Sequence, residues 1–379
     1  TTTAKSSAAS DVYKRQRMVD ELAGSAACFP DAASRLPEAV RSLVSGAAPD
    51  DNQRAMAAAL KDADKATVLL GNTAAAHPQA SLLRALATVI ADAAGATNGC
   101  LPAAANSIGG WLAGALPHRG PAGQAVQSAG LAAHAMCDSP RKGYILFGVE
   151  PENDCWDGEA AMKAIDEADF VVSFSPWASE TMMNSADVLL PVAPFTETSG
   201  TFVNLEGRWQ GFTGVARPHG DSRPGWKVLR VLGNLLELDG FEYTSSEEIR
   251  DALRCAVDAA SFEPGSADVA AAPSTGKGEL ERVGDVPIHS SDALVRRAPS
   301  LQATPDAMAG NVARISTRQA EASGVLGADT IKASQDGTSI TVSLEIDERV
   351  PAGCIWLPAG TPAAAGLGPC IGAIRIERA

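Results

Sequence analysis

The sequence predicts an α/β protein: an open, parallel, Rossmann-like sheet with flanking helices, followed by a small C-terminal β-rich, barrel-like domain. Three observations support this prediction. Short apolar runs alternate with helical stretches from residue 66 onward. These runs are continuously apolar, which is typical of parallel strands buried on both faces. The segment TSITVSLEI (338–346) instead alternates with period two, as a half-exposed strand does.

The N-terminal part is predicted to be helical before it enters the first strand. Residues 17–62 are rich in helix formers, and Asp50–Asn52 are cap candidates for the last of these helices. The short apolar run ATVLLGN (66–72) then leads into HPQASLLRALATVIADAAG (77–95), which has a helical composition. A fully apolar strand that runs into a helix favours a parallel sheet covered on both faces.

The strand–helix alternation repeats in the middle of the chain. Asp157 is suited to cap a helix, and Pro191 and Pro194 would stop a strand. Such an alternation implies right-handed crossovers between parallel strands. The predicted segments are, in order, strand 144–149, helix 157–168, strand 169–174, helix 175–186 and strand 187–194.

Less regular segments surround these strands. Residues 195–222 are predicted to form a long loop, and RPGWKVLRVLGNLLEL (223–238) an amphipathic helix with proline in its first turn. A further helix is predicted over 245–260, capped by Ser245 or Ser246. The Gly-rich stretch 107–123 lacks the G-x-G-x-x-G spacing, and we interpret it as a flexible loop.

Composition divides the chain into four predicted parts. Residues 1–16 are polar and have no initiator Met, so we expect a tail or a foreign join, with the natural protein extending further upstream. Residues 17–260 form the α/β domain, and the Pro/Gly/Ala/Ser-rich stretch within 261–310 is typical of a linker. Residues 311–379 form the small β-rich domain, to which CIWLP and IGAIRIE add short strands.

Charge and hydropathy exclude several function classes. The 379 residues carry a formal net charge of −14, and the pI is near 4.8. A nucleic-acid partner is not expected, because a binder of the phosphate backbone needs a basic face. No apolar run reaches the roughly 18 residues that a membrane span needs. We therefore expect an intracellular protein without direct membrane insertion.

Metal ligands and catalytic groups have no recognisable pattern. The seven cysteines include no C-x-x-C pair, and the five histidines include no i, i+4 pair. Zinc and iron–sulfur sites usually show such close pairs, so we predict no metal site in this segment. No G-x-S-x-G string occurs. We also predict no catalytic residue.

The strongest candidate site is the loop that follows the third strand of the middle segment. Ligands of open α/β sheets bind where strands end, and Arg208 can bind a phosphate or carboxylate with its forked guanidinium. The alternative is that the polar side chains of the loop hydrogen-bond to the loop itself. On residue types alone the second interpretation is favoured. The polar and glycine residues concerned are Glu197, Thr198, Ser199, Gly200, Thr201, Asn204, Glu206, Gly207 and Arg208.

One string in this loop resembles a known family. E-x-x-G-T-F-x-N-x-E-G-R (197–208), followed by R-P-G-W-K (223–227), resembles the C-terminal region of the large iron–sulfur subunit of NADH-quinone oxidoreductase. That enzyme is respiratory complex I, and its large iron–sulfur subunit belongs to the molybdopterin oxidoreductase superfamily. The resemblance covers about Gly143 to Leu253, with weaker similarity outside that range, and it does not include residues 1–16.

The resemblance implies a cofactor distribution. Family members carry 2Fe-2S and 4Fe-4S clusters in an N-terminal part whose cysteine motifs this chain lacks, so no cofactor is expected in this segment. In molybdenum-containing relatives the matching residues lie near the pterin dinucleotide. The resemblance thus implies a vestigial pterin-like pocket, for which the candidates are Glu197, Gly200, Thr201, Asn204, Glu206 and Arg208.

The implied function is a structural scaffold in the peripheral arm of proton-pumping NADH:quinone oxidoreductase. The whole enzyme passes electrons from NADH through FMN and iron–sulfur clusters to quinone. Its partners would be other peripheral-arm subunits, and its location the cytoplasmic face of the bacterial plasma membrane. An alternative is part of an active, formate dehydrogenase-like molybdopterin oxidoreductase, which the R-P-G-W-K continuation disfavours. A free-standing nucleotide-binding module is a weaker alternative, because no phosphate-loop motif occurs.

Overall fold

A computed structural model describes residues 15–33, 36, 38–77, 79–262, 280–364 and 366–379. It confirms the predicted fold class, with parallel sheets, flanking helices and a curled C-terminal sheet that forms a half-barrel. The chain divides into two compact units. The first comprises the described residues up to Ala104 together with Glu348–Cys354. The second comprises Ala105–Phe262, Leu280–Asp347 and Ile355–Ala379.

The first unit is mainly helical around a two-stranded parallel sheet. Helix α6 supplies the largest share of the buried residues in its core, and Leu83 and Leu86 of its apolar stripe are completely buried. The αL residue Gly95 (φ 64°) ends that helix. The elements are α1 (Arg15–Ala27), α2 (Pro30–Ala33), α3 (Glu38–Gly46), α4 (Asp51–Asp62), β1 (Thr67–Leu70), α5 (Asn72–Ala75), α6 (Ala80–Ala94) and β2 (Thr97–Cys100).

Helix α4 begins as the sequence predicts. The Asp50 carboxylate accepts a hydrogen bond from the Gln53 backbone N–H at 2.7 Å, and the Gln53 side chain accepts one from the Asp50 N–H at 2.9 Å. This reciprocal pair is a capping box, which satisfies two amides that the first helical turn leaves open. The predicted tail 1–16 lies outside the described residues except for its last two, which begin α1.

The second unit contains a four-stranded parallel sheet in the order β3-β4-β5-β8. Asp157 caps α10 as predicted: its carboxylate accepts from the Ala160 N–H at 2.9 Å. The elements of this part are α7 (Ser107–Leu112), α8 (Ala133–Asp138), β3 (Gly143–Phe147), α9 (Pro151–Asp154), α10 (Gly158–Asp166), β4 (Phe170–Ser175), α11 (Glu180–Ser185), β5 (Val188–Ala193), β6 (Gly200–Val203), β7 (Trp209–Phe212), β8 (Arg223–Pro224), α12 (Gly225–Leu235) and α13 (Ser246–Asp258).

One face of this sheet packs on helices and forms its core. Leu146 of β3 and Val171 of β4 pack there with Ile165 of α10 and Met182 of α11. All four side chains are buried. Because the strands are parallel, their carboxyl ends lie at the same edge of the sheet. The apolar runs of the sequence therefore predicted these strands correctly, but the prediction of a sheet covered on both faces was wrong for the described residues, because Ile145 and Phe170 are 66% and 51% exposed.

The C-terminal half-barrel is a seven-stranded sheet in the order β14-β9-β13-β10-β12-β11-β15. Its longest strand, β12, covers the residues predicted from period-two alternation. The elements are β9 (Glu281–Val283), α14 (Ala293–Arg296), α15 (Pro299–Gln302), α16 (Pro305–Ala309), β10 (Val312–Ile315), α17 (Thr317–Ala322), β11 (Thr330–Gln335), β12 (Thr338–Ile346), β13 (Cys354–Trp356), β14 (Ile371–Ala373) and β15 (Arg375–Arg378).

The range predicted as a linker, 261–310, differs in its second half. Residues 263–279 lie outside the described residues. Strand β9 pairs with β14 in the half-barrel, and three short helices follow it before residue 310. Residues 280–310 are therefore structured, because β9 satisfies its backbone groups by pairing within the sheet.

Candidate functional site

The predicted loop 195–222 contains a β-hairpin. Strands β6 and β7 pair in antiparallel register, with Gly200 opposite Phe212 and Val203 opposite Trp209. A side chain at Gly200 would meet the Phe212 ring at 2.8 Å, so the ring occupies the space that the glycine leaves. The prediction of an irregular loop over residues 200–212 was wrong, because two strands of four residues each are too short to give a clear periodicity.

Asn204 organises the hairpin turn. Its side-chain oxygen accepts hydrogen bonds from the Glu206 N–H at 3.1 Å and the Arg208 N–H at 2.9 Å. The left-handed residue of the turn is Gly207, with φ 76°. The side chains of Glu206 and Arg208 form a 3.8 Å ion pair and are mostly exposed. These three residues thus stabilise the turn, as the second interpretation of the loop expects.

Glu197 lies before the hairpin and also bonds within the loop. Its carboxylate accepts a hydrogen bond from the His219 backbone N–H at 3.0 Å. Glu197 ends a short 3₁₀ turn that follows β5. The carboxylate therefore connects the start of the segment to its end and is not among the residues that line the neighbouring cleft.

A cleft of about 280 Å³ lies beside the hairpin. Of the six predicted pocket residues, Gly200 and Thr201 line it, whereas the other four do not. Its walls come from α7, the hairpin, α12 and α13. The lining residues are Asn106, Gly109, Gly110, Ala113, Ser199, Gly200, Thr201, Val203, Trp209, Trp226, Ser246, Ile249, Arg250 and Leu253.

Sequence reasoning missed the contribution of α7 to this cleft. The Asn106 side chain accepts a hydrogen bond from the Val203 N–H at 2.9 Å, which fixes α7 against β6. Gly109 is required there, because a Cβ at that position would lie 2.1 Å from the Asn106 side-chain oxygen. The stretch 107–123, predicted as a flexible loop, therefore begins with a short helix that this long-range contact holds.

Polar side chains in the cleft pair with each other or with a neighbouring residue. The Ser199 and Ser246 hydroxyls are 2.7 Å apart and hydrogen-bond to each other. The guanidinium of Arg250 donates to Asp251 at 2.7 Å, and this hydrogen bond raises the pKa of Arg250. Neither His nor Cys occurs in the lining that the structure describes. The cleft therefore offers hydroxyls, one paired cation and apolar walls, without a nucleophile–base pair.

A second cluster of functional groups lies at the carboxyl edge of the parallel sheet. Glu150 follows β3 and is 3% exposed. Its carboxylate pairs with the guanidinium groups of Arg296, at 3.0 Å, and of Arg297. Arg296 also pairs with Asp154 at 2.9 Å, and the Arg297 guanidinium lies 5.1 Å from the centre of the Trp177 ring, just after β4. We call these five residues the edge cluster.

The electrostatics of the edge cluster favour the charged state of Arg296. Burial alone would lower the pKa of Arg296, but the hydrogen bond and charge of Asp154 and the charge of Glu150 raise it above its ordinary value. The cluster contains two guanidinium groups and two carboxylates. Its formal charge is therefore balanced internally.

The thiol of Cys155 is partly buried. Burial, reinforced by the nearby Cys137 and acidic residues, raises the pKa of Cys155 to about 11.

Over the described ranges, no group of three or more His, Cys, Asp or Glu residues is arranged to hold a metal ion. Within the same ranges, no helix has both the length and the apolar character needed to cross a membrane.

Taken together, the fold is that of an open α/β protein with a C-terminal half-barrel and a glycine-containing hairpin after the third parallel strand. Residues 51–235 match the family model of the molybdopterin oxidoreductases. This match spans just under half of the chain, and these residues are similar to the molybdopterin oxidoreductase family domain. This confirms the superfamily-level resemblance drawn from residues 143–253.

Curated relatives share a limited part of the chain. A Staphylococcus aureus (strain MRSA252) protein named "Putative formate dehydrogenase" is 37% identical over 90 residues, which are 24% of this chain and 9% of that protein. A protein of the same name from strain USA300 is 38% identical over 88 residues, 23% of this chain and 9% of that protein. The chain thus matches about a tenth of the length of these relatives. They are named for formate dehydrogenase and not for complex I, which favours the alternative interpretation of the sequence.

A solved structure shares the fold over most of the chain. Acetylene hydratase from Pelobacter acetylenicus superposes with a TM-score of 0.58 and 13% sequence identity. The superposition covers 95% of this chain and 70% of that one. At this level of identity the similarity establishes the architecture only.

The family implies a pterin dinucleotide, and the described residues do not fit one. The cleft volume of about 280 Å³ is just below the roughly 300–1,000 Å³ of small-molecule pockets. Asn204, predicted to contact the pterin, bonds within the hairpin turn, and Glu206 and Arg208 pair with each other at its exposed surface. At the carboxyl edge of the sheet, the guanidinium groups of the edge cluster are already paired with Glu150 and Asp154. We therefore derive no reaction step through the dinucleotide.

Proposed function

We propose that this chain is the structural framework of a formate dehydrogenase-like enzyme of the molybdopterin oxidoreductase family. The observation that carries the proposal is the family domain over residues 51–235, in which parallel strands lead into the hairpin of residues 200–212. The formate dehydrogenase relatives support the substrate assignment. The reaction would be the two-electron oxidation of formate to CO₂ with release of one proton.

The framework role rests on how the described residues are used. Asn204 stabilises a turn, and Glu197 connects the two ends of its loop. The side chains of Glu206 and Arg208 pair with each other at the exposed surface of the turn. In this proposal the cofactor and the reacting groups are bound by other parts of the whole protein.

The test uses the whole protein purified from its own cells through a chromosomal tag. We expect formate-dependent reduction of a viologen dye, and loss of this activity when the gene is deleted. Asn204→Ala should lower the yield of enzyme while the activity per bound molybdenum stays within about twofold of the native value, because a framework residue affects folding rather than the reacting atoms. A large loss of activity per molybdenum would contradict the framework role.

A second candidate is favoured by one particular motif. The string of residues 197–208 followed by R-P-G-W-K resembles the large iron–sulfur subunit of NADH-quinone oxidoreductase, and Arg223 and Pro224 of this motif pair with β5. In this candidate the chain is a scaffold among the peripheral-arm subunits, at the cytoplasmic face of the plasma membrane. The iron–sulfur clusters would be held by an N-terminal part of the whole protein.

The same deletion strain separates the two candidates. Loss of NADH-dependent quinone reduction in membranes, with formate oxidation unchanged, would replace the first proposal by the second. Loss of formate oxidation, with NADH-dependent quinone reduction unchanged, would retain the first. Restoring the gene on a plasmid is the control, since it must return the activity that was lost.

A further inference from the structure

Burying the charged side chains of the edge cluster costs free energy, and a gain in stability alone does not explain why they are buried. The Glu150 side chain is 4% exposed and that of Arg296 is 12% exposed. Removing charges from water costs several kcal/mol per ion, and apolar residues of similar volume often stabilise a fold as well as a buried ion pair does. The position of the cluster in the fold is therefore more informative than its stabilising effect.

That position is the one at which open α/β sheets bind ligands. Ligands lie in the crevice outside the carboxyl ends of the strands. Glu150 follows β3 by three residues, and Trp177 follows β4 by two. Arg296 and Arg297 reach the same edge from helix α14, more than a hundred residues later in the chain. The chain thus places two of its own side chains where a ligand would lie.

We propose that Arg296 and Arg297 close the carboxyl edge of the parallel sheet from within, so that this edge binds no nucleotide. The contacts of the cluster are ion pairs and a few hydrogen bonds, and among the described residues Nε and Nη2 of Arg296 and Oε1 of Glu150 are buried without a hydrogen bond. Arg296 donates to Asp154 at 2.9 Å and to the Ser290 carbonyl at 3.0 Å, besides pairing with Glu150. Arg297 donates to the Ala293 carbonyl at 3.1 Å.

An incoming phosphate would meet unfavourable charges at this edge. It would have to separate two guanidinium groups from Glu150, and it would then lie beside the carboxylates of Glu150 and Asp154. Like charges at such distances repel strongly where water is excluded. The closure therefore rests on ion pairs that a phosphate would have to break.

The first experiment is nucleotide binding by the full chain, with GDP as the probe. We expect no saturable heat in titration calorimetry at concentrations up to about 1 mM. We also expect that GDP does not change hydrogen exchange in peptides covering residues 148–154 and 288–300. Protection of these peptides by GDP, together with at least about tenfold weaker binding in Arg297→Gln, would overturn the proposal. The two arginines would then be ligand-binding groups.

The second experiment tests whether the carboxylate holds the arginines at the edge. Glu150→Gln keeps the side-chain shape and removes the charge that pairs with both guanidinium groups. Hydrogen exchange over residues 288–300 should become at least about fivefold faster, since local opening there no longer breaks two ion pairs. If Glu150→Gln does not fold, Arg297→Gln at the half-exposed position provides the same measurement. Unchanged exchange in the variant that folds would contradict the closure.

A matched control exists in the half-barrel. Arg314 also lies over a tryptophan ring, that of Trp356 at 4.7 Å, and pairs with Glu345 at 3.2 Å. Glu345→Gln therefore removes a similar ion pair away from the sheet edge, and exchange over 288–300 should stay at the native rate. The inference rests on the framework role proposed above. Its readouts are exchange and nucleotide binding, so its failure is distinguishable from loss of formate oxidation.

Discussion

Replacing Arg282 by methionine should destabilise the half-barrel by about 3 kcal/mol. Arg282 lies in β9 and is 1% exposed. Its guanidinium donates to the carbonyl groups of Leu357, Pro358 and Gly368 and to the side-chain oxygen of Gln335, at 2.8–3.2 Å. No carboxylate pairs with it among the contacts of the described residues. The side chain thus joins several separate segments of the sheet through neutral acceptors.

The magnitude follows from two opposing effects. Methionine leaves four buried acceptors without this donor, and hydrogen bonds from a charged group contribute about 1.5 kcal/mol each at the low end of their range. That amounts to about 6 kcal/mol. Against this, burial lowers the pKa of Arg282 from its ordinary value to about 10. At about 1.4 kcal/mol per pKa unit, the fold disfavours the charged side chain by about 3 kcal/mol, which methionine relieves.

Hydrogen exchange measured by mass spectrometry on the full chain gives the free energy of opening for β11 and β12 separately from the first unit. Lys332→Met is the matched control, because Lys332 lies in β11 and its ion pair with Glu377, at 3.3 Å, is exposed. We expect a change of at most about 0.5 kcal/mol for this control. Arg282→Lys should be nearly as harmful as Arg282→Met, because an ammonium cannot reproduce the forked geometry.

The dependence on pH provides a further check. The folded-state pKa of Arg282, about 10, is below its unfolded value. The free-energy penalty on the charged guanidinium is therefore constant below the folded pKa, and it decreases as the pH rises from the folded pKa towards the unfolded one. The difference between native protein and Arg282→Met should stay constant between about pH 6 and 9. A difference below about 1 kcal/mol, or native stability in Arg282→Lys, would refute the reasoning.

Three further predictions concern the candidate site and its surroundings. Asn204→Ala should lower the stability of the hairpin by about 1 kcal/mol in thermal melts, because two backbone N–H groups lose their acceptor, whereas Arg208→Ala should leave it nearly unchanged. Gly109→Ala should disrupt α7, because the new Cβ would lie 2.1 Å from the side-chain oxygen of Asn106. Gly110→Ala, whose Cβ would meet no atom within 4 Å, should leave the melting temperature unchanged or raise it. Thermal melts followed by circular dichroism measure both variants. The Cys155 thiol, with a pKa of about 11, should react with iodoacetamide more slowly at pH 8 than the exposed thiol of Cys255 in α13. Its alkylation rate should still increase above pH 9. Equal rates for the two thiols at pH 8 would contradict the effect of burial on the pKa of Cys155.

Strands of the parallel sheet could be predicted because local and tertiary preferences agree there. β3, β4 and β5 are mostly apolar, and those of their residues that pack against α10 and α11, such as Leu146 and Val171, are buried. Asp157 identified the start of α10, since a cap is a local interaction between residues three apart. Such signals are contained within a few neighbouring residues. A single sequence is sufficient to detect them.

The parts that could not be predicted depend on contacts distant in sequence. Helix α7 contains Gly109 and Gly110, which disfavour helix, and it is held by the bond from Val203 to Asn106 across 97 residues. The edge cluster joins Arg296 to Asp154 across 142 residues. The predicted pocket was incomplete for the same reason. Four of its six residues bond within their own loop, and most of the cleft wall comes from other elements.

The two buried arginines show how one residue type serves two structural purposes. Arg282 donates to neutral acceptors, and burial lowers its pKa, so its contacts fix geometry without balancing its charge. For Arg296 burial has the same tendency, but the charges of Asp154 and Glu150 outweigh it and raise its pKa. Neutral acceptors are provided by any closely packed backbone, whereas two carboxylates at the end of parallel strands require specific acidic residues there. Arg282 is therefore explained by the architecture of the half-barrel alone. The edge cluster instead requires a specific reason for placing charge at the ligand-binding edge, and closure of that edge provides one.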